Sequence, residues 1–157
     1  MDPYAPPRTD APADAVHTDD ALGGPGPAVG LAGAAMAGAG ILTAASGWQL
    51  GDMLTAVDAW VEGWMWSFLP LGVALAVCGG GFTQARRWAL RPGAALAAAC
   101  AASGAAWLVF AGLRGVFTLA ALTATGLSML AVVLALGALP GAERVARARA
   151  RLLSELS

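Results

Sequence analysis

Residues 64–82 read WMWSFLPLGVALAVCGGGF, and residues 83–93 that follow read TQARRWALRPG. The first stretch carries no charged side chain. Its length fits the roughly 20 residues a helix needs to cross the apolar part of a bilayer. The second stretch brings Arg86, Arg87 and Arg91 together. An uncharged run closed by arginines reads as a membrane span followed by a cytoplasmic loop, because cytoplasmic loops carry the excess of basic residues. Pro70 predicts a kink within the span, and Gly79-Gly80-Gly81 predicts its end.

Working downstream, residues 93–113 form a second uncharged run, rich in Ala and containing Cys100, Ser103 and Trp107. After a tight turn at Arg114-Gly115, residues 116–139 form another, which Pro140-Gly141 is expected to stop. Residues 141–157 predict a separate basic amphipathic helix. Val145, Ala148, Leu152 and Leu156 fall on one side of it, and Arg144, Arg147 and Arg151 on another, with Arg149 adding to the charge.

Upstream, residues 27–48 make the first span, built largely of Gly and Ala. Gly30, Gly33, Ala34, Ala37, Gly38 and Gly40 leave it little bulk. Small residues four apart allow helices to approach closely. Such a helix suits a subunit interface, while codon bias alone also fills a helix with Ala and Gly. Between this span and residue 64, Leu50, Met53, Leu54, Val57, Trp60, Val61 and Trp64 recur at helical spacing opposite Thr55, Asp58 and Glu62. That pattern predicts an amphipathic helix lying in the membrane interface. Trp48, Trp60, Trp64 and Trp66 suit the level of the headgroups.

Residues 1–26 hold five Asp among Pro, Ala and Gly, without periodicity. A segment of this kind buries too little apolar surface to offset its ordering entropy, so it is expected to be a disordered acidic tail. It has no basic start followed by an apolar stretch, so it is not read as a secretory signal.

The whole chain agrees with this partition. It has 157 residues, is 58% hydrophobic and only 12% charged, with a mean hydropathy of +0.67. Soluble domains carry about 25% charged residues. Lys and Asn are absent and Ile41 is the single Ile, while Ala, Gly and Arg abound. A GC-rich genome favours that usage, which points to a high-GC bacterium such as an actinobacterium and to its inner membrane.

The fold expected is therefore all-α: an antiparallel bundle of four transmembrane helices at 27–48, 64–82, 93–113 and 116–139. An interfacial helix joins the first two, and a basic helix follows the last. With four spans, the basic loop 83–93 and the C-terminal arginines share the cytoplasmic side, and the N-terminal tail joins them. With three, the tail would have to be exported.

The chemistry is mostly exclusion. The span interiors contain no ionisable residue, so no carboxylate offers a proton relay and no Lys a Schiff base. The single His, His17, sits in the tail, so no haem ligand is expected in the bundle. No catalytic site, metal site or cofactor is expected. Asp52, Asp58 and Glu62 form an outer acidic patch that reads as a cation site or, more simply, as a solvated helix face. Thr118, Thr123, Thr125 and Ser128 line a polar path or bond to their own helix carbonyls. Cys78 and Cys100 are expected at similar depth on neighbouring spans, as small apolar side chains rather than a disulfide. Arg86, Arg87, Arg91, Arg144, Arg147, Arg149 and Arg151 are expected to attract anionic lipid or a partner. The function expected is that of a non-catalytic accessory or scaffolding subunit of a larger membrane assembly, with a membrane protein partner or a second copy of itself. A homo-oligomeric small channel, holin-like protein or transporter is the first alternative. A membrane-bound regulator or DNA-transfer protein is the second, although nucleic acid is not an expected partner at a net charge of −1.

Overall fold

The structure, a computed structural model, describes residues 24–53, 59–114 and 119–155. They form four helices: α1 Pro27–Met53, α2 Ala59–Thr83, α3 Arg87–Arg114 and α4 Leu119–Glu155. Each contains a stretch long and apolar enough to cross a membrane: Pro27–Gln49, Val61–Thr83, Arg87–Leu113 and Leu119–Ser154. That is the architecture of a multi-pass membrane protein. The acidic tail read at 1–26 falls, up to residue 23, outside the described residues, as does the turn at Gly115.

The tightest packing joins α1 to α2, and glycine makes it. Gly33, Gly40 and Gly47 recur every seven residues on α1, and Gly72 and Gly79 do so on α2. A seven-residue step returns to nearly the same face of a helix. A Cβ added to Gly40 would lie 2.5 Å from the Gly72 carbonyl oxygen, and one added to Gly72 would lie 2.5 Å from the Gly40 oxygen. Gly33 and Gly79 face each other in the same reciprocal way, and Gly47 meets Phe68 and Leu69. Residue numbers fall along α2 as they rise along α1, so the two helices run antiparallel. Each carbonyl lies over the other helix's Cα, an arrangement suited to weak Cα–H···O contacts. The glycine stripe of the first span therefore serves a contact within the chain, whereas a Cβ on Gly30 would meet nothing within 4 Å and Ala34 is exposed. Of those expected at a subunit interface, Gly33 and Gly40 are committed to α2, and Gly38 faces Leu127 of α4.

α4 presents a stripe of small residues inward at alternating steps of three and four. Ala121, Ala124, Ser128, Ala131, Ala135, Ala138, Ala142 and Val145 are all buried. Its bulk points the other way: Leu122, Met129, Leu130, Val133 and Leu136 are exposed. The same inversion runs through the molecule, with Leu31, Ile41, Val73, Val77 and Val109 outside and Ala32, Ala39, Ala89 and Ala97 inside. Larger buried groups, Met36, Leu75 and Phe82, fill one core cluster; Val61, Met65, Phe68 and Trp107 fill a second.

The helix ends depart from the sequence reading in four places. Of the amphipathic helix expected at 50–64, residues 50–53 continue α1 and 59–64 begin α2, while 54–58 lie outside the described residues. The glycine triplet does not end α2. Gly79 packs on Ala37 and Gly33, and Gly81 on Ala89 and Trp88, so two of the three are used inside the helix for close contact. α2 instead ends at Thr83 by two bonds, Ala85 N–H to the Phe82 carbonyl (2.9 Å) and Arg86 N–H to the Gly81 carbonyl (3.0 Å). This is the Schellman pattern, with Ala85 at φ 50° where glycine is usual. α3 begins at Arg87 rather than Gly93, with Pro92 inside it. Pro92 is the sixth residue of α3, past the turn where a missing N–H is free, and buried Leu90 before it and Ala97 and Cys100 after it pack in one core cluster that carries the helix across.

Pro140-Gly141 does not stop α4, and among the described residues there is no separate C-terminal helix; α4 runs 37 residues through Pro140, about 56 Å at 1.5 Å per residue. Ala138 on one side of the proline and Ala142, Val145 and Ala146 on the other are all buried in the same core cluster. Packing on both sides carries the helix across the lost hydrogen bond.

Candidate functional site

Two ends of the bundle collect the polar and aromatic side chains. At one end lie the start of α1, the α2–α3 turn and the C-terminal third of α4. Arg149 of α4 donates through Nη1 to the Gln84 carbonyl at 3.0 Å, which ties α4 to the turn. Gly24, Gly26, Ala28 and Val29 border a cavity of about 480 Å³ opposite Gly137–Val145. The start of α1 thus shares this end.

The arginines singled out in the sequence divide among different surroundings here. Arg86 donates from Nε to Gln84 Oε1 at 2.8 Å. Arg144 donates to the Pro140 carbonyl at 3.4 Å and borders the cavity beside α1. Arg151 is exposed. Arg87, Arg91 and Arg147 are brought together around a second cavity of about 370 Å³, with Leu90, Glu143 and Ala146 as its other walls. Glu143 organises this notch: Arg91 Nε donates to its Oε1 at 3.0 Å, and Arg147 Nη2 lies 3.9 Å from its Oε2. Arg147 also donates from Nε to the Glu143 carbonyl at 3.3 Å. Glu143 was not singled out in the sequence. Its signal was present, since Glu143 and Arg147 stand four apart on one helix, the spacing at which opposite charges meet. Its partner on α3 is 52 residues away and left no trace in local pattern.

The opposite end is aromatic. Trp64 packs on Trp107 (centroids 5.6 Å apart), Phe110 (6.2 Å) and Phe68 (6.4 Å). Its indole Nε1 donates to Ser103 Oγ at 3.1 Å. Trp48 and Trp66, both exposed, meet edge to face at 6.3 Å. Of the four tryptophans expected at headgroup level, three therefore gather at one end; the Trp60 side chain lies outside the described residues. Trp107, 3% exposed, joins Trp64, Phe68 and Phe110 in this cluster, and as one aromatic in an Ala-rich run it gave no cue to that. Of the acidic patch, Glu62 is exposed, while Asp58 and the side chain of Asp52 lie outside the described residues. No group of three His, Cys, Asp or Glu side chains that could hold a metal is formed among the described residues.

Between the ends, all four helices border a cavity of about 20 Å³, lined by Thr43 and Ser46 of α1, Phe68 of α2, Cys100, Gly104 and Trp107 of α3, and Ala121, Ala124 and Thr125 of α4. That is room for about one water. The hydroxyls of α4 turn back to their own helix: Thr123 to Leu119, Thr125 to Ala121 and Ser128 to Ala124. Thr118 lies outside the described residues. Cys78 and Cys100 are both free and buried, but not at one depth. A Cβ on Gly93 would lie 3.4 Å from that of Cys78, and Cys100 is seven residues further along α3, about 10 Å at helical rise. The expected similarity of depth came from counting residues to the loop, and the helix starting at Arg87 rather than Gly93 shifts that count.

Compared with known proteins, the chain matches no family model, no curated protein sequence and no solved structure.

Proposed function

We propose that the chain is a small multi-pass membrane protein acting as a non-catalytic accessory or scaffolding subunit of a larger membrane assembly. One observation carries the membrane setting of this reading: alanine is the commonest buried side chain, while many Leu, Val, Ile and Met side chains cover the outside. In water that arrangement forfeits the main driving force of folding. In lipid, where acyl chains are as apolar as leucine, burying bulk gains nothing, and small residues give helices their closest contact. The outer surface is then the contact surface for lipid and for partner helices.

The positive-inside rule places the arginine-bearing end in the cytoplasm. There the C-terminal third of α4 extends past the apolar core and through the headgroup layer, since about 30 Å of apolar core accommodates little more than half of its length. The start of α1 borders the same end. The aromatic end faces outward. The bundle interior, with a cavity for about one water, favours a subunit over a pore through one protomer; a conducting path would have to form between copies.

Affinity purification of the tagged protein from its native membranes in a mild detergent tests this reading. A stoichiometric membrane protein partner is the expected result. Elution as a defined homo-oligomer without a partner would overturn the accessory role in favour of a channel, with ion flux in liposomes as its assay.

A further inference from the structure

The reading as a membrane protein leaves open whether the arginine-bearing end meets lipid diffusely or at a defined place. We propose that the notch formed by Arg87, Arg91 and Arg147 binds the phosphate-bearing headgroup of one anionic phospholipid. The proposal rests on the membrane reading above, with this end at headgroup depth.

Four features converge on that occupant. The notch has a volume of about 370 Å³ and three arginines against one glutamate among its walls, a net charge of +2. Glu143, at 27% side-chain exposure, braces Arg91 through Nε and Arg147 through Nη2, whereas those arginines remain 82% and 62% exposed. A guanidinium held through one edge keeps further N–H donors for an anion. Arg87, Leu90 and Arg91 occupy the first turns of the 28-residue α3, so the positive end of its dipole adds to the field.

The last feature distinguishes a lipid from a free anion. Helical spacing continues the Arg87–Arg91 stripe of α3 into Ala94, Ala98 and Ala102, of which Ala98 and Ala102 are exposed. The Glu143–Arg147 stripe of α4 continues into Pro140, Leu136 and Met129, all exposed. Beneath the charged notch, α3 therefore offers alanines beside the larger side chains of α4. That shallow apolar path suits an acyl chain attached to the headgroup.

Native mass spectrometry of the full chain in mild detergent tests the site. It is titrated in parallel with phosphatidylglycerol, with phosphatidylcholine of the same acyl chains, and with inorganic phosphate. Phosphatidylglycerol is expected to bind most tightly, one molecule per chain. Arg87→Gln/Arg147→Gln should weaken it by roughly five-fold for each arginine removed. Arg144→Gln/Arg151→Gln, outside the notch, should leave it unchanged. Equal binding of the two lipids overturns the proposal, as does equal weakening by both double variants. Displacement of phosphatidylglycerol by inorganic phosphate at the same concentration would assign the notch to a free anion instead. Arg87→Gln alone disturbs neither ion pair of Glu143, so it decides the matter if the double variant folds poorly. Alkaline carbonate treatment of membranes separates the two levels: release of the chain sinks the membrane reading, and retention without lipid selectivity sinks the notch alone.

Discussion

The α1–α2 seam and the aromatic end of the bundle hold helices together by opposite means. Along the seam, Gly33, Gly40, Gly72 and Gly79 remove side chains altogether, and backbone meets backbone. At the aromatic end, Trp64, Phe68, Trp107 and Phe110 fill the space between helices with the largest side chains available. The seam is vulnerable to addition and the aromatic end to removal. In the membrane setting proposed above, neither relies on expelling water, because lipid offers apolar groups the same welcome outside. Both rely on dispersion contacts at short range, which fall away quickly when surfaces part.

The largest effect is expected from adding bulk to the seam. Gly40→Leu places a side chain where the nearest atoms are the backbone of Gly72 and Ala76. Backbone does not rotate away, so α1 and α2 must separate along their length. The variant should fail to yield folded protein in detergent, judged by loss of a single sharp peak in size-exclusion chromatography. Gly40→Ala should cost about 1–3 kcal/mol, the usual range for overpacking, measured by SDS titration in mixed micelles. Gly126→Ala is the contrast: nothing lies within 4 Å of a Cβ added there, and the gain in helix propensity is about 0.5–1 kcal/mol. Equal responses at Gly40 and Gly126 would show that the seam is not a close contact.

Removing bulk at the aromatic end comes next. Trp107 is 3% exposed and touches Trp64, Phe68 and Phe110. Trp107→Ala should destabilise the protein by about 3–5 kcal/mol in the same titration, the cost of lost contacts around a cavity. Such a loss, with α1 and α2 still associated, would confirm that the two regions are independent. Collapse of both together would show that the aromatic cluster also supports the seam.

The α2–α3 turn offers a smaller gain. Ala85 holds a left-handed conformation, φ 50°, which costs a residue with a Cβ about 1–2 kcal/mol. Ala85→Gly relieves that and loses part of it again to the greater freedom of the unfolded chain. A net stabilisation of about 0.5–1 kcal/mol is expected. A loss would mean that the buried methyl of Ala85, 3% exposed, matters more than the backbone.

What the sequence disclosed follows from the same contrast. The four apolar runs and the cluster of arginines that follows the second were legible because charge and length are local properties. The seam was half legible: small residues at Gly33, Ala37 and Gly40 announced close packing, but not that α2 would receive it, since the partner glycines stand 32 to 46 residues away. Helix ends were misread at Gly79–Gly81, at Pro92 and at Pro140 for one reason. Local rules treat glycine and proline as breakers, and here tertiary packing on both sides overrides them. The notch needed Arg91 and Glu143 side by side, a pairing that only the α3–α4 crossing supplies.

The smallest predicted effect sharpens the comparison most finely, because it separates shape from polarity at the aromatic end. Trp64 donates its indole N–H to Ser103, a polar contact at the edge of a largely apolar cluster. Ser103→Ala keeps nearly all of the volume and removes the acceptor. Hydrogen bonds between membrane helices average about 0.6 kcal/mol, because the unfolded chain in the membrane finds partners too. A change of that size, far below the effect of Trp107→Ala, would place the cohesion of this end in ring packing. A loss comparable to Trp107→Ala would mean that the hydrogen bond sets the orientation of Trp64, with Phe68 and Phe110 packing onto a ring that Ser103 fixes.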